Sequence, residues 1–130
     1  MPTYLDTPTL VDLAYAAELR SKPPCMCTKT LLNGWESQPI SLDESRFREI
    51  GTLREHNDTE PTFEEFLPGN VNYWSADAPI APQYYPYNRC SVWQCELRGR
   101  LYLRYTEGGG YFVDRRIRAL QSRLITDVSS

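Results

Sequence analysis

The stretch Arg100-Leu101-Tyr102-Leu103-Arg104-Tyr105-Thr106-Glu107-Gly108-Gly109-Gly110-Tyr111-Phe112-Val113 decides the fold. Leu101, Leu103 and Tyr105 recur at every second position, the period of a strand with one buried face, and the glycine run supplies the positive φ values of a tight turn. Tyr111-Phe112-Val113 then begins a return strand, so a β-hairpin from Arg100 to about Arg116 is expected. A glycine run without a following Lys-Ser/Thr, and not opening a helix, is turn chemistry and does not make a phosphate-binding loop.

Working outward, Thr7 to Arg20 carries the clearest helical pattern. Thr7 is placed to cap and Pro8 to occupy the first helical position, with Leu10, Leu13, Ala14 and Ala17 on one face and Pro23-Pro24 as the stop. Ser41-Leu42-Asp43-Glu44 has the form of a capping box and predicts a short helix over 42–50, with Phe47 and Ile50 on one side and Gly51 ending it. A second box, Thr62-Phe63-Glu64-Glu65, opens one or two turns at most before Pro68-Gly69. Val71 to Trp74 has the composition of a short strand, and 75–89 reads as an ordered, extended loop whose prolines forbid a regular ladder. Its tyrosines imply packing. The expectation is an α+β fold: an N-terminal helix, short helices and a small antiparallel sheet with a C-terminal β-hairpin.

With 130 residues, residues 1–130 are expected to form a single domain. Hydrophobic residues are 41% and charged residues 24%, ordinary globular usage, and the apolar runs are too short for a membrane span or a signal peptide. A cytoplasmic protein is expected. The net charge of −3 is unevenly spread: up to residue 80 there are six basic against thirteen acidic residues, and beyond it eight arginines against four acidic residues. The two halves either complement one another in the fold or leave an acidic face for a basic partner.

Four cysteines form a C-x-C pair, Cys25 and Cys27, and a C-x4-C pair, Cys90 and Cys95. Two pairs on two turns can close a tetrahedral, four-thiolate zinc site, and the second pair precedes a hairpin as in zinc-ribbon-like modules. Such a zinc is structural, because four protein ligands leave no open position. The same residues also read as ordinary buried thiols in a reducing compartment, the more common state of such cysteines.

For catalysis the chain offers little. His56 is the sole histidine, in a polar stretch read as exposed loop, and nothing places it beside a cysteine or serine nucleophile. Glu60, Glu64 and Glu65 belong to the densest acidic cluster, but neighbouring carboxylates on a helix diverge and read as solvated surface. No enzyme is expected. Arg98, Arg100 and Arg104, with Tyr102 between them, could meet phosphates in a zinc-ribbon-like nucleic-acid-binding or regulatory protein, although the acidic overall charge opposes this and makes nucleic acid the lesser expectation.

Taken together, Cys27-Thr28-Lys29-Thr30-Leu31, Gly51-Thr52-Leu53, Pro61-Thr62-Phe63, Tyr73-Trp74-Ser75, Ala78-Pro79-Ile80-Ala81-Pro82, Pro86-Tyr87-Asn88-Arg89-Cys90 and Tyr102-Leu103-Arg104-Tyr105-Thr106-Glu107 resemble a group of small bacterial immunity proteins of interbacterial toxin loci. The likeness spans about Cys25 to Leu120, and Arg98 stands where that group's closer C-x2-C pair would put a partner for Cys95. The resemblance implies a cytoplasmic protein that binds and neutralises one cognate toxin domain. Its partner surface would combine Glu60, Glu64 and Glu65 with the aromatic anchors Trp74, Tyr84 and Tyr85.

Overall fold

A computed structural model describes residues 3–20, 34–38, 44–54, 62, 64–68, 71–96, 99–108 and 113–126. One helix, α1 (Thr7–Arg20), precedes a five-stranded sheet of β1 (Glu36–Ser37), β2 (Phe47–Thr52), β3 (Ser91–Cys95), β4 (Leu101–Gly108) and β5 (Val113–Ala119). The strands lie in the order β1-β5-β4-β3-β2, all neighbours antiparallel. This is the expected α+β fold, and the hairpin β4-β5 stands at its centre.

The helix starts where the sequence places it, but the cap is Asp6: its Oδ1 accepts from the Thr9 N–H at 3.0 Å. Leu10, Ala14 and Ala17 are buried from one face of α1 together with Val92, Leu101, Leu103, Tyr105 and Leu120 of the sheet region. A second cluster, Phe47, Cys95, Tyr102, Ile117 and Ala119, fills the other face. The start of β4, Leu101 to Leu103, is therefore apolar on both sides, which is why Tyr102 between two leucines is fully buried. Each such side chain contributes about 1.5–3 kcal/mol on leaving water.

The helix expected over 42–50 is not formed by the described residues. Glu44–Arg46 is a single 3-10 turn and Phe47–Thr52 is an edge strand, paired with β3 through Phe47↔Cys95 and Thr52↔Ser91. A capping box is worth about 1 kcal/mol. It loses to a ladder that satisfies the β3 backbone and buries Phe47 edge-on against Tyr102, centroids 5.3 Å apart. Gly51, expected to end a helix, instead admits the N-terminal segment: a Cβ there would lie 2.6 Å from Leu5 Cδ1 and 2.9 Å from the Thr3 carbonyl.

The second capping box also yields no helix among its described residues. Thr62 Oγ1 accepts from Glu64 N at 3.1 Å, a local turn, and the Glu64 carbonyl is taken by Tyr85 N at 2.8 Å. Val71 to Trp74 is likewise a turn and not a strand, closed by Asn72 Oδ1 accepting from Trp74 N at 2.9 Å and by Ser75 N donating to the Asn72 carbonyl. Residues 75–89 run as successive tight turns ending in a 3-10 turn at Tyr87–Arg89, not as the extended loop expected. No helix among the described residues is long and apolar enough to cross a membrane.

Candidate functional site

Strand register decides which polar side chains meet. On the helix-side face, Tyr105 of β4 stands opposite Arg116 of β5, which stands opposite Ser37 of β1, and the next row pairs Glu107 with Asp114. The turn at Tyr73-Trp74 lies over this row. Beneath it Trp35 stacks on Tyr73 at 6.0 Å and meets Tyr105 edge-on at 4.9 Å.

Arg116 organises the cluster. Its Nε pairs with Asp114 Oδ2 at 3.0 Å, and Nη1 donates to the hydroxyls of Tyr73 at 3.1 Å and Tyr105 at 3.0 Å. Those two hydroxyls also hydrogen-bond to one another. The guanidinium lies 4.8 Å from the Trp74 ring centroid and 5.3 Å from that of Tyr73, within cation–π range of both. Trp74 meets Tyr73 edge-on at 4.7 Å yet remains 51% exposed. A large indole is thus fixed in place while one side faces solvent.

Beside it, Tyr85 packs edge-on to Tyr105 at 6.0 Å, lies under Arg89 and donates its hydroxyl to Glu107. Through the Tyr85 amide the chain carrying exposed Glu64 and Glu65 is held against this rim. Phe66 of the same segment packs on Tyr84 at 5.7 Å.

The charges of the cluster are stable near neutral pH. Hydrogen bonds from Arg116 and then Ser37 hold the Asp114 carboxyl below its ordinary value. Burial opposes the Arg116 charge, but its bonds to Tyr73, Asp114 and Tyr105 outweigh that and raise its pKa. Burial pushes Tyr73 up to about 12 and raises Tyr105 further. Burial, then the bond to Glu107, raises Tyr85. These tyrosines, Arg116 and Asp114 therefore present a fixed pattern of charge and hydroxyls, suited to recognition.

Two residues along β5 on the same face, Arg118 is fully buried. Its guanidinium donates to Tyr87 Oη at 2.6 Å and to the carbonyls of Ala78 at 2.7 Å and Ala76 at 3.3 Å. Trp35 Nε1 donates to the same Tyr87 hydroxyl at 3.2 Å. The loop that presents Trp74 is thereby tied to the sheet. Neither arginine was singled out from the sequence. Asp114, Arg116 and Arg118 alternate with Arg115, Ile117 and Ala119, and this period-two charge run leading into Leu120 is the available signal.

Of the residues expected to meet a partner, Trp74 and Tyr85 share one aromatic platform, with Glu64 and Glu65 beside Tyr85. Tyr84 is half-buried on Phe66, and Glu60 lies outside the described residues. Cys25, Cys27, Arg98 and His56 also lie outside them. Cys90 and Cys95 are both fully buried, Cys90 in the helix-side cluster and Cys95 in the opposite one, so the sheet does not bring them together. The Cys90 thiol donates to the Pro86 carbonyl at 3.3 Å, and burial, partly offset by Arg118, pushes its pKa well up. Among the described residues no group of three or more His, Cys, Asp or Glu could hold a metal ion. Arg104, from the expected phosphate-contacting set, lies over Trp93 at 4.7 Å, and Arg100 lies over Tyr102 at 5.3 Å, on the face away from Trp74.

Comparison of the chain with protein-family models, curated proteins and solved structures returns no match.

Proposed function

We propose that this chain is an immunity-type inhibitory binding protein, which docks a basic domain of a cognate toxin through the surface around Trp74 and Tyr85. The observation that carries the reading is Trp74: half-exposed, yet clamped by Arg116 and Tyr73. An indole already held in place loses little freedom on docking, and Trp and Tyr dominate the energetic centres of protein interfaces. Glu64 and Glu65 flank the platform and are exposed, which adds the acidic rim that speeds association with a basic partner.

The test is co-purification with the product of the gene neighbouring the one that encodes this chain, followed by calorimetric titration. A one-to-one complex is expected, with Trp74→Ala weakening it by about 2 kcal/mol or more. Glu64→Gln with Glu65→Gln should slow association and reduce its dependence on salt. Absence of a complex, or one indifferent to Trp74→Ala and to both glutamates, refutes the reading.

A further inference from the structure

The face of the sheet away from Trp74 carries an open cavity of about 310 Å³, lined by Ser91, Trp93, Arg104, Tyr105, Thr106 and Arg115. Its chemistry follows from register. Ser91 stands opposite Arg104, and Thr106 stands opposite Arg115, so these four side chains and Trp93 issue from the same face of three adjacent strands. Arg104 and Arg115 are diagonal neighbours across the β4-β5 pair, a spacing of roughly 7–8 Å from which two long side chains can reach one ligand. No acidic residue is among the described residues of the lining. Glu36 and Glu49 share the face at its margins, opposite Ile117 and Trp93.

We infer that this cavity is a binding site for a small organic phosphomonoester. Arg104 is held ready: its guanidinium lies on the Trp93 indole and its Nη2 donates to Gln38 Oε1 at 2.6 Å. Trp93 is itself fixed by its Nε1–H donating to Ser91 Oγ at 2.6 Å. A guanidinium already stacked and hydrogen-bonded orders little on receiving an anion. Arg115 and the Thr106 hydroxyl, both exposed, complete the rim. Two arginines lining one cavity suit a dianion with three equivalent oxygens better than a single carboxylate. A volume near the lower bound of ligand sites, about 300 Å³, leaves room for a small organic group beside the phosphate. The site opens on the face across the sheet from the docking surface, with Tyr105 of β4 the residue common to both.

The experiment titrates the full chain with inorganic pyrophosphate, with a nucleoside 5′-monophosphate and with the matching unphosphorylated nucleoside, at low salt, by calorimetry and tryptophan fluorescence. Saturable one-to-one binding of the monophosphate is expected below about 1 mM, with none for the nucleoside. Arg115→Gln alters an exposed side chain and should weaken binding about tenfold or more, while Trp74→Ala leaves it unchanged. Failure of the monophosphate to bind, whether or not pyrophosphate does, or binding unaffected by Arg115→Gln, overturns the inference. A 5′-phosphorylated oligonucleotide that binds no better than its unphosphorylated form, yet tighter than the monophosphate, overturns it too, since that pattern marks backbone recognition of nucleic acid.

Discussion

Arg116 and Arg118 sit two residues apart on one strand and point to the same face, yet they do opposite work. Arg116 is at the rim, its side chain 19% exposed, with a carboxylate, two phenols and an indole around it. Arg118 is sealed, and its guanidinium donates to a phenol and two backbone carbonyls of the loop above. A rim cation paired with Asp114 shapes a surface. A buried one without a carboxylate among those acceptors is tolerable only because the loop carbonyls converge on it, so it braces the fold. Removing the brace is expected to have the largest effect: Arg118→Ala leaves a cavity and takes the guanidinium away from the Tyr87 hydroxyl and the Ala78 and Ala76 carbonyls, a loss of about 3–5 kcal/mol in urea denaturation. If Arg118→Ala costs no more than a surface substitution, the division of labour between the two arginines is wrong.

Gly34 tests whether the Trp74 turn depends on the same close packing. A Cβ at Gly34 would lie 2.5 Å from the Trp74 carbonyl oxygen and 3.2 Å from the Ser75 carbonyl carbon, both backbone atoms that cannot swing aside. Gly34→Ala should therefore cost about 1–3 kcal/mol by displacing the turn. The displacement also separates Trp74 from Arg116, so tryptophan emission should shift with the stability loss. A stable variant with unchanged emission would show that the turn has slack.

How much of this was legible in the sequence depends on whether the deciding contacts are local. Helix α1 and hairpin β4-β5 carry their own periodicity, and the sequence locates both. The stretch over 42–50 carries a local helix signal that, from Phe47 on, partner β3, some forty residues away, overrides by strand pairing. At the candidate site, Trp74 and Tyr85 are recognisable as aromatics in a constrained loop. Their shared support, Arg116 with Tyr105, comes from a hairpin distant in sequence, and a charged strand position gives no sign of facing inward until the register is known. The two cysteines Cys90 and Cys95 illustrate the same limit: five positions apart on an extended chain, they fall on opposite faces of the sheet.

Subtler substitutions refine what the rim arginine does. Arg116→Lys keeps a cation but loses the planar fork that reaches Asp114, Tyr73 and Tyr105 together, so a loss of about 1 kcal/mol is expected, with Trp74 more accessible to acrylamide quenching. Unchanged quenching would mean that Tyr73 alone positions the indole.

The smallest effect belongs to Asp114, whose carboxyl is held below its ordinary value by hydrogen bonds from Arg116 and Ser37. A carboxyl with a depressed folded-state pKa contributes stability that is fully present above its unfolded value, near 3.8, and disappears as pH falls through the lower folded value. Denaturation midpoints followed down from neutral pH should thus fall in acid, and Asp114→Asn should flatten part of that slope while leaving the neutral-pH midpoint little changed, because the pair is partly solvated. If the acid slopes of the two proteins coincide, Asp114 does not anchor Arg116 in solution. The orientation of the guanidinium under Trp74 must then come from the two phenols, which titrate far above this range.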